Sequence, residues 1–237
     1  MRIVFVRHGE PDYARDCLTE AGRLQAAVAA ERLAGEGISE IYTSPCGRAS
    51  ETALYTAARL GLPVTPLEYM REISWGGLQI PHNGHPWTLA DRMLEDGFDF
   101  CGQDWQEHPF FKGNVATEHC SEIAAEFDVF LAGHGYRHEG RRFLCEGGTD
   151  KTVALFSHGG SGACVLAHLL NLPFPYVASV MPYDFTSVII LDFPVSEGAY
   201  VFPRLELFND CAHIRKSAGR PILQQESEKP LTSNSNL

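Results

Sequence analysis

The sequence predicts an α/β protein: a three-layer α/β/α sandwich with a mainly parallel central sheet and a small irregular cap insertion. Three observations carry this expectation. The run Ile3-Val4-Phe5-Val6 is apolar without alternation, as a strand buried on both faces requires, and it ends in Arg7-His8-Gly9-Glu10. A second such run, Thr152 to Ser157, ends in His158-Gly159-Gly160. Between them strand and helix patterns alternate, the rhythm of a parallel sheet covered by helices.

Each element follows from local chemistry. Thr19 is placed to cap a helix whose first turn holds Glu20, a favourable position for an anion. Leu24, Ala27, Val28 and Leu33 then recur at helical spacing, and Gly35 or Gly37 closes the helix. Ile38 to Thr43 reads as a strand, Arg48 to Leu60 as a helix, and Val64 to Leu67 as a short strand leading to Arg71-Glu72. From Trp75 to Gly113 the periodicity fails, and Trp, Phe, His, Pro and Gly dominate, with one short helix expected over Thr88 to Asp96. Such a stretch reads both as a lid over the carboxyl edge of the sheet and as a satellite aromatic core. A helix from Thr117 to Gly133 follows, then a Gly-, His- and Arg-rich loop to Gly148. The strand at 152–157 runs into a helix ending at Leu170, and Thr186 to Asp192 and Arg204 to Phe208 form a hairpin or edge pair. We read residues 1–216 as one domain, with the cap at about 76–116 and a polar tail over 217–237.

Composition narrows the function classes. A length of 237 residues suits one sizeable domain, and 44% hydrophobic with 21% charged residues is ordinary for a soluble protein. The net charge of −11 disfavours nucleic acid and anionic membranes as partners. It leaves a phosphorylated small molecule open, because a few local arginines reverse the field within one pocket. The seven cysteines are odd in number and contain no Cys-x-x-Cys, which reads as reduced thiols in a cytoplasmic protein with no paired framework. No signal peptide or membrane-spanning run is expected. A neighbouring subunit would be one way to hold the tail, so a homo-oligomer stays open.

The two histidines carry the chemistry. Each stands at the end of a buried strand and is followed by glycine, at the edge where open α/β sheets bind ligands. The glycines after His158 open a helix whose N–H groups and positive dipole end suit phosphate. Arg7-His8-Gly9-Glu10 and the later Ser157-His158-Gly159 together resemble the histidine phosphatase superfamily, relatives of the cofactor-dependent phosphoglycerate mutases. The resemblance extends to Leu18-Thr19-Glu20-Ala21-Gly22-Arg23-Leu24-Gln25-Ala26, a packing element. It also covers Ser44-Pro45-Cys46-Gly47-Arg48-Ala49-Ser50-Glu51-Thr52-Ala53 and Glu72-Ile73-Ser74-Trp75-Gly76.

The resemblance implies His8 as a nucleophile that becomes transiently phosphorylated, and His158 as its partner on the phosphoryl oxygens. Arg7 and Arg48 supply cations for those oxygens, Arg48 through a planar fork that lysine lacks. Glu72 is implied as proton donor to the leaving group, and Gly9 and Gly159 as further substrate contacts. An imidazole suits the nucleophile role because it is neutral near pH 7 and attacks through one nitrogen while the other is held.

The mutase pattern is incomplete. It continues after Gly76-Gly77-Leu78-Gln79 with a glycine where Ile80 stands, and then with Lys and paired Arg. The segment Glu95-Asp96-Gly97-Phe98-Asp99-Phe100 is acidic and repels an anion unless Arg92 or Lys112 folds back. The expected activity is therefore phosphomonoester hydrolysis on a small phosphorylated metabolite, with a mutase and an inactive phosphate-binding relative as alternatives. Between Glu10 and Leu18 only Asp12 or Tyr13 offers a polar assistant for phosphate. Ser161 fails the Gly-x-Ser-x-Gly pattern of an esterase. His82, His85, Cys101 and His108 have partly zinc-like spacing but lack a clear second pair. No metal or cofactor is expected.

Overall fold

In a computed structural model, which describes residues 1–76 and 89–214, the N-terminal strand β1 (Arg2–Arg7) lies inside the sheet, as its apolar run demands. The chain continues through a two-residue pair, β2 (Pro11–Asp12) and β3 (Cys17–Leu18), to α1 (Glu20–Leu33), β4 (Ile38–Thr43), α2 (Gly47–Leu60) and β5 (Val64–Pro66). After the irregular region come α3 (Leu89–Glu95), α4 (Val115–Gly133), β6 (Tyr136–Glu139), β7 (Arg142–Cys145) and β8 (Thr152–Ser157). The last elements are α5 (Gly159–Leu170), α6 (Phe174–Val180), β9 (Val188–Asp192), β10 (Tyr200–Val201) and β11 (Arg204–Asp210).

The main sheet has the order β11-β9-β1-β8-β4-β5. β1, β8, β4 and β5 pair in parallel, β9 is antiparallel to β1, and β11 is antiparallel to β9. Alternate residues of β1 feed two separate cores. Val4 and Val6 pack with Leu33, Ala53 and Ala57 under α1 and α2. Ile3 and Phe5 pack with Phe127, Leu131 and Val165 under α4 and α5. The three layers follow from that alternation.

Three expectations are corrected. The span from His134 to Gly148 is not a loop. It holds the β6–β7 hairpin, whose buried Tyr136, Phe143 and Cys145 alternate with more exposed neighbours. The polar turn around Gly140 masked that period of two. A further helix, α6, follows α5, with Pro173 as its N-cap and Pro175 in the first turn where no amide partner is lost. Finally, Cys120 and Cys164 are joined as a disulfide between α4 and α5, with Cα atoms 5.3 Å apart.

The irregular region leaves and rejoins the fold at one point. Val115 donates its amide to Gly76 O at 3.1 Å, and Gly76 N donates to Asn114 Oδ1 at 3.3 Å. Its described aromatic residues pack into the main core: Trp105 lies 5.1 Å from Phe111 and 5.7 Å from Phe174, and Trp75 stacks on Phe174 at 5.8 Å. Among the described residues, no single helix is long and apolar enough to cross a membrane. Gly77, Leu78, Gln79, Ile80, His82, His85 and the tail 217–237 lie outside the described residues.

Candidate active site

Parallel register builds the site. Arg7 pairs with Ser157 and Thr43 with Phe156, so the next residues, His8, His158 and Ser44, leave three adjacent strands side by side. His8 N donates to Ser157 O at 2.9 Å and Ser44 N to Phe156 O at 2.8 Å, which fixes each strand exit to its neighbour. The two imidazole rings lie 5.1 Å apart, centroid to centroid.

His8 is 1% exposed. Its Nδ1 lies 2.7 Å from Gly9 O, so the ring proton resides there and the lone pair resides on Nε2. Nε2 receives the Arg48 Nε–H at 3.4 Å. Burial, reinforced by the Arg7 charge, holds the His8 imidazole well below its ordinary value and hence neutral. His158 is fully buried and likewise depressed, chiefly by burial and then by Arg48 and Arg7. Its Nε2 lies 2.8 Å from Ser44 Oγ, while Nδ1 is buried without a hydrogen-bond partner.

Two guanidiniums flank these rings, Arg7 at 8% and Arg48 at 9% exposure. Arg7 donates to Tyr183 O at 2.8 Å and lies 4.5 Å above the Phe185 ring, and its Nε is buried without a partner. Buried cations with unfilled donors favour an anion. Arg48 donates to Asp16 Oδ1 at 2.5 Å beneath the face of Tyr13. Asp16 also accepts the Gly47 amide at 2.7 Å, which caps α2.

Glu72 sits on the first turn of α5. Its carboxylate accepts the Ser161 amide at 2.9 Å, the Gly160 amide at 3.3 Å and the Ile73 amide at 3.0 Å. Burial pushes its carboxyl above the ordinary value, against the opposing pull of the Ser161, Gly160 and Ile73 amides and of Arg7. Here the sequence reading needs correction. The amides of Gly160 and Ser161 are occupied by Glu72 and are not available to a phosphate.

Gly9 is also engaged: its amide donates to Thr52 Oγ1 at 3.0 Å and its carbonyl holds His8. Gly159, at the start of α5, is buried, and its carbonyl accepts the Tyr183 hydroxyl at 2.9 Å. Ser44, Asp16, Thr52, Tyr183 and Phe185 were missed as members of the site. Ser44 and Thr52 stood inside the Arg48 motif, and the Glu10–Leu18 stretch offered Asp12 and Tyr13 rather than Asp16. Nothing in the sequence marks Tyr183 or Phe185, which reach the site from the turn before β9. Of the zinc-like residues, Cys101 is exposed and His108 Nδ1 accepts the Phe110 amide at 3.3 Å.

Two neutral imidazoles between two buried guanidiniums, at the carboxyl edge of a parallel sheet, define a phosphoryl-transfer protein of the α/β class. The chain belongs to the histidine phosphatase superfamily, branch 1, whose family model matches residues 3–204. A glucosyl-3-phosphoglycerate phosphatase of Mycobacterium tuberculosis is 28% identical over 231 residues, covering 90% of this chain and 96% of that protein. A probable phosphoglycerate mutase of Yersinia enterocolitica is 33% identical over 88 residues, covering 33% of this chain and 41% of that protein. The native structure of the mycobacterial glucosyl-3-phosphoglycerate phosphatase superposes with a TM-score of 0.60 at 26% identity, covering 88% of this chain and 98% of that one. A phosphoserine phosphatase of Entamoeba histolytica shares the fold, with a TM-score of 0.61 at 21% identity over 90% of this chain and 98% of that one.

Proposed function

We infer that the protein is a phosphomonoester phosphatase that hydrolyses a small phosphorylated metabolite through a phosphohistidine. The observation that carries this reading is the meeting of His8 and His158, both neutral, between Arg7 and Arg48. His8 Nε2 attacks phosphorus while Nδ1–H stays on Gly9 O. The P–O ester bond breaks, and Glu72 gives its proton to the departing alkoxide. Arg7, Arg48 and His158 donate to the phosphoryl oxygens as charge builds on them. Ionised Glu72 then takes a proton from water, the hydroxide attacks the phosphohistidine, and phosphate leaves.

Water as final acceptor is supported by the acidic segment 95–100. Lys112, whose charge would be needed to hold a second anionic group there, is paired with Glu107 at 2.7 Å. The M. tuberculosis and E. histolytica relatives, named as phosphatases of small phosphorylated compounds, point the same way. The described part of the 76–116 insertion packs its aromatic residues on the core of what we take to be a single domain.

p-Nitrophenyl phosphate tests the reading. The wild-type protein releases phosphate and forms an acid-labile phosphoprotein, and His8→Ala abolishes both, with turnover falling by about 10⁴-fold or more. Full turnover in that variant refutes the mechanism. Interconversion of 3- and 2-phosphoglycerate at a rate above hydrolysis refutes the choice of water.

A further inference from the structure

Outside the catalytic site, three metal-ligating side chains from three different elements converge. Asp128 comes from α4, His138 from β6 and His168 from the last turn of α5. The Asp128 carboxylate lies between the two rings, with Oδ2 at 3.0 Å from His138 Nδ1 and Oδ1 at 2.7 Å from His168 Nε2. The rings are nearly perpendicular, at 86°, with centroids 4.7 Å apart. His138 is further fixed by stacking on Phe143 at 4.6 Å. All three side chains are partly accessible, and both histidines line a cavity of about 460 Å³ whose walls include Trp105, Asn171 and the Cys120–Cys164 disulfide.

We propose that Asp128, His138 and His168 form a binding site for a divalent transition metal of the zinc type. Two imidazoles and one carboxylate are the donor set that such ions favour over calcium or magnesium, which prefer oxygen alone. A tetrahedral ion with bonds of about 2.0–2.1 Å needs donors roughly 3.3–3.5 Å apart. The imidazole–carboxylate separations, 2.7 and 3.0 Å, run to the two different oxygens of Asp128 and are slightly shorter, and with one ligand atom from each residue the three donors lie within 4.8 Å of one another. Side-chain shifts of about 1 Å close the set around an ion. The fourth position opens to the cavity, where water or a small anion completes the shell. The ion is held apart from the reaction: His158 precedes α5 and His168 ends it, about 15 Å along the axis. It joins the β6–β7 hairpin to α4 and α5, so its expected effect is on stability.

Chelator-treated protein, in buffer without thiol reductant, is titrated with Zn²⁺ by calorimetry and with Co²⁺ by visible absorption. One equivalent binds, and Co²⁺ gives the intense d–d bands of a four-coordinate site. A His138→Gln/His168→Gln double variant loses affinity by more than the about 10–100-fold that removal of an outer-shell partner costs. It keeps wild-type p-nitrophenyl phosphate hydrolysis at His8, which reports that it is folded. Imidazole ¹⁵N shifts in the wild-type protein give a readout free of substitutions, with Zn²⁺ moving His138 Nδ1 and His168 Nε2. No saturable binding, unchanged affinity in the double variant, or shifts confined to other histidines overturns the proposal.

Discussion

Glu72 is held by three backbone amides and still has a raised carboxyl pKa, so its burial outweighs their pull. In the proposed mechanism that balance lets one residue serve as acid in the first half-reaction and base in the second. It also sets a pH profile. The acidic limb of kcat/KM follows protonation of His8, which is depressed, and the alkaline limb follows ionisation of Glu72, which is raised. The two limbs bound a bell, and because His8 is lowered while Glu72 is raised they stand closer together or further past one another than the free groups would. Glu72→Gln cannot donate a proton, so kcat/KM toward an alkyl phosphate falls by about 10²–10⁴-fold. The loss is smaller with p-nitrophenyl phosphate, whose leaving group needs little protonation. A pH profile without an alkaline limb, or equal losses in kcat/KM with both substrates, contradicts this role. At this scale the sequence named His8, His158, Arg7, Arg48 and Glu72, because their motifs travel with them. It missed Asp16 because the close approach of the 13–16 turn to α2 has no signature in residue spacing.

The start of α1 shows how an element positions a residue it does not contain. Thr19 Oγ1 caps the Gly22 amide at 3.0 Å, Gln25 Oε1 accepts the Glu10 amide at 2.8 Å, and Leu18 and Ala26 are buried. Gly22 lies so close to the Arg7–Glu10 segment that a Cβ there would stand 2.2 Å from Glu10 O, and a Cβ on Gly9 would stand 2.6 Å from Gly22 O. Helix propensity alone makes Gly22→Ala stabilising by about 1 kcal/mol. The backbone clash reverses the sign: thermal unfolding moves to lower temperature, and turnover falls as the loop carrying His8 shifts. A rise in melting temperature with unchanged kcat contradicts this account. The helix start, β4 and β8 were legible because capping residues and unbroken apolar runs are local signals. The β6–β7 hairpin and α6 were not, since their burial comes from α4 and α5 rather than from their own composition.

For the whole molecule, burial of the His8 and His158 imidazoles links stability to pH. Both have folded values below the ordinary 6.5, so the unfolded chain binds more protons as pH falls beneath about 6.5. Their contribution is complete above that pH and is lost as pH falls toward the folded values, at up to about 1.4 kcal/mol per pH unit for each ring. Glu72, being raised, opposes the rings, since its contribution is lost as pH rises above 4.5 toward its folded value, whereas the lowered carboxylates act in a separate window. Glu40, lowered to about 2 chiefly by Lys151, contributes above 4.5 and is lost only below it. Urea midpoints measured from pH 7.5 to 5 should therefore fall, and a His8→Gln/His158→Gln variant should show a flatter slope. A midpoint independent of pH over that range contradicts the linkage.

The sequence by itself determined the layer order, the strands that end at the site and the five residues proposed here for phosphoryl transfer. Each of these is encoded by apolar period, capping chemistry or a contiguous motif. Only the tertiary structure decided that Glu72 takes the α5 amides and that Asp16 holds Arg48. It likewise decided that Cys120 meets Cys164 and that Asp128, His138 and His168 converge. These pairings depend on parallel register and helix packing between segments far apart in the chain, and no local pattern records such distances.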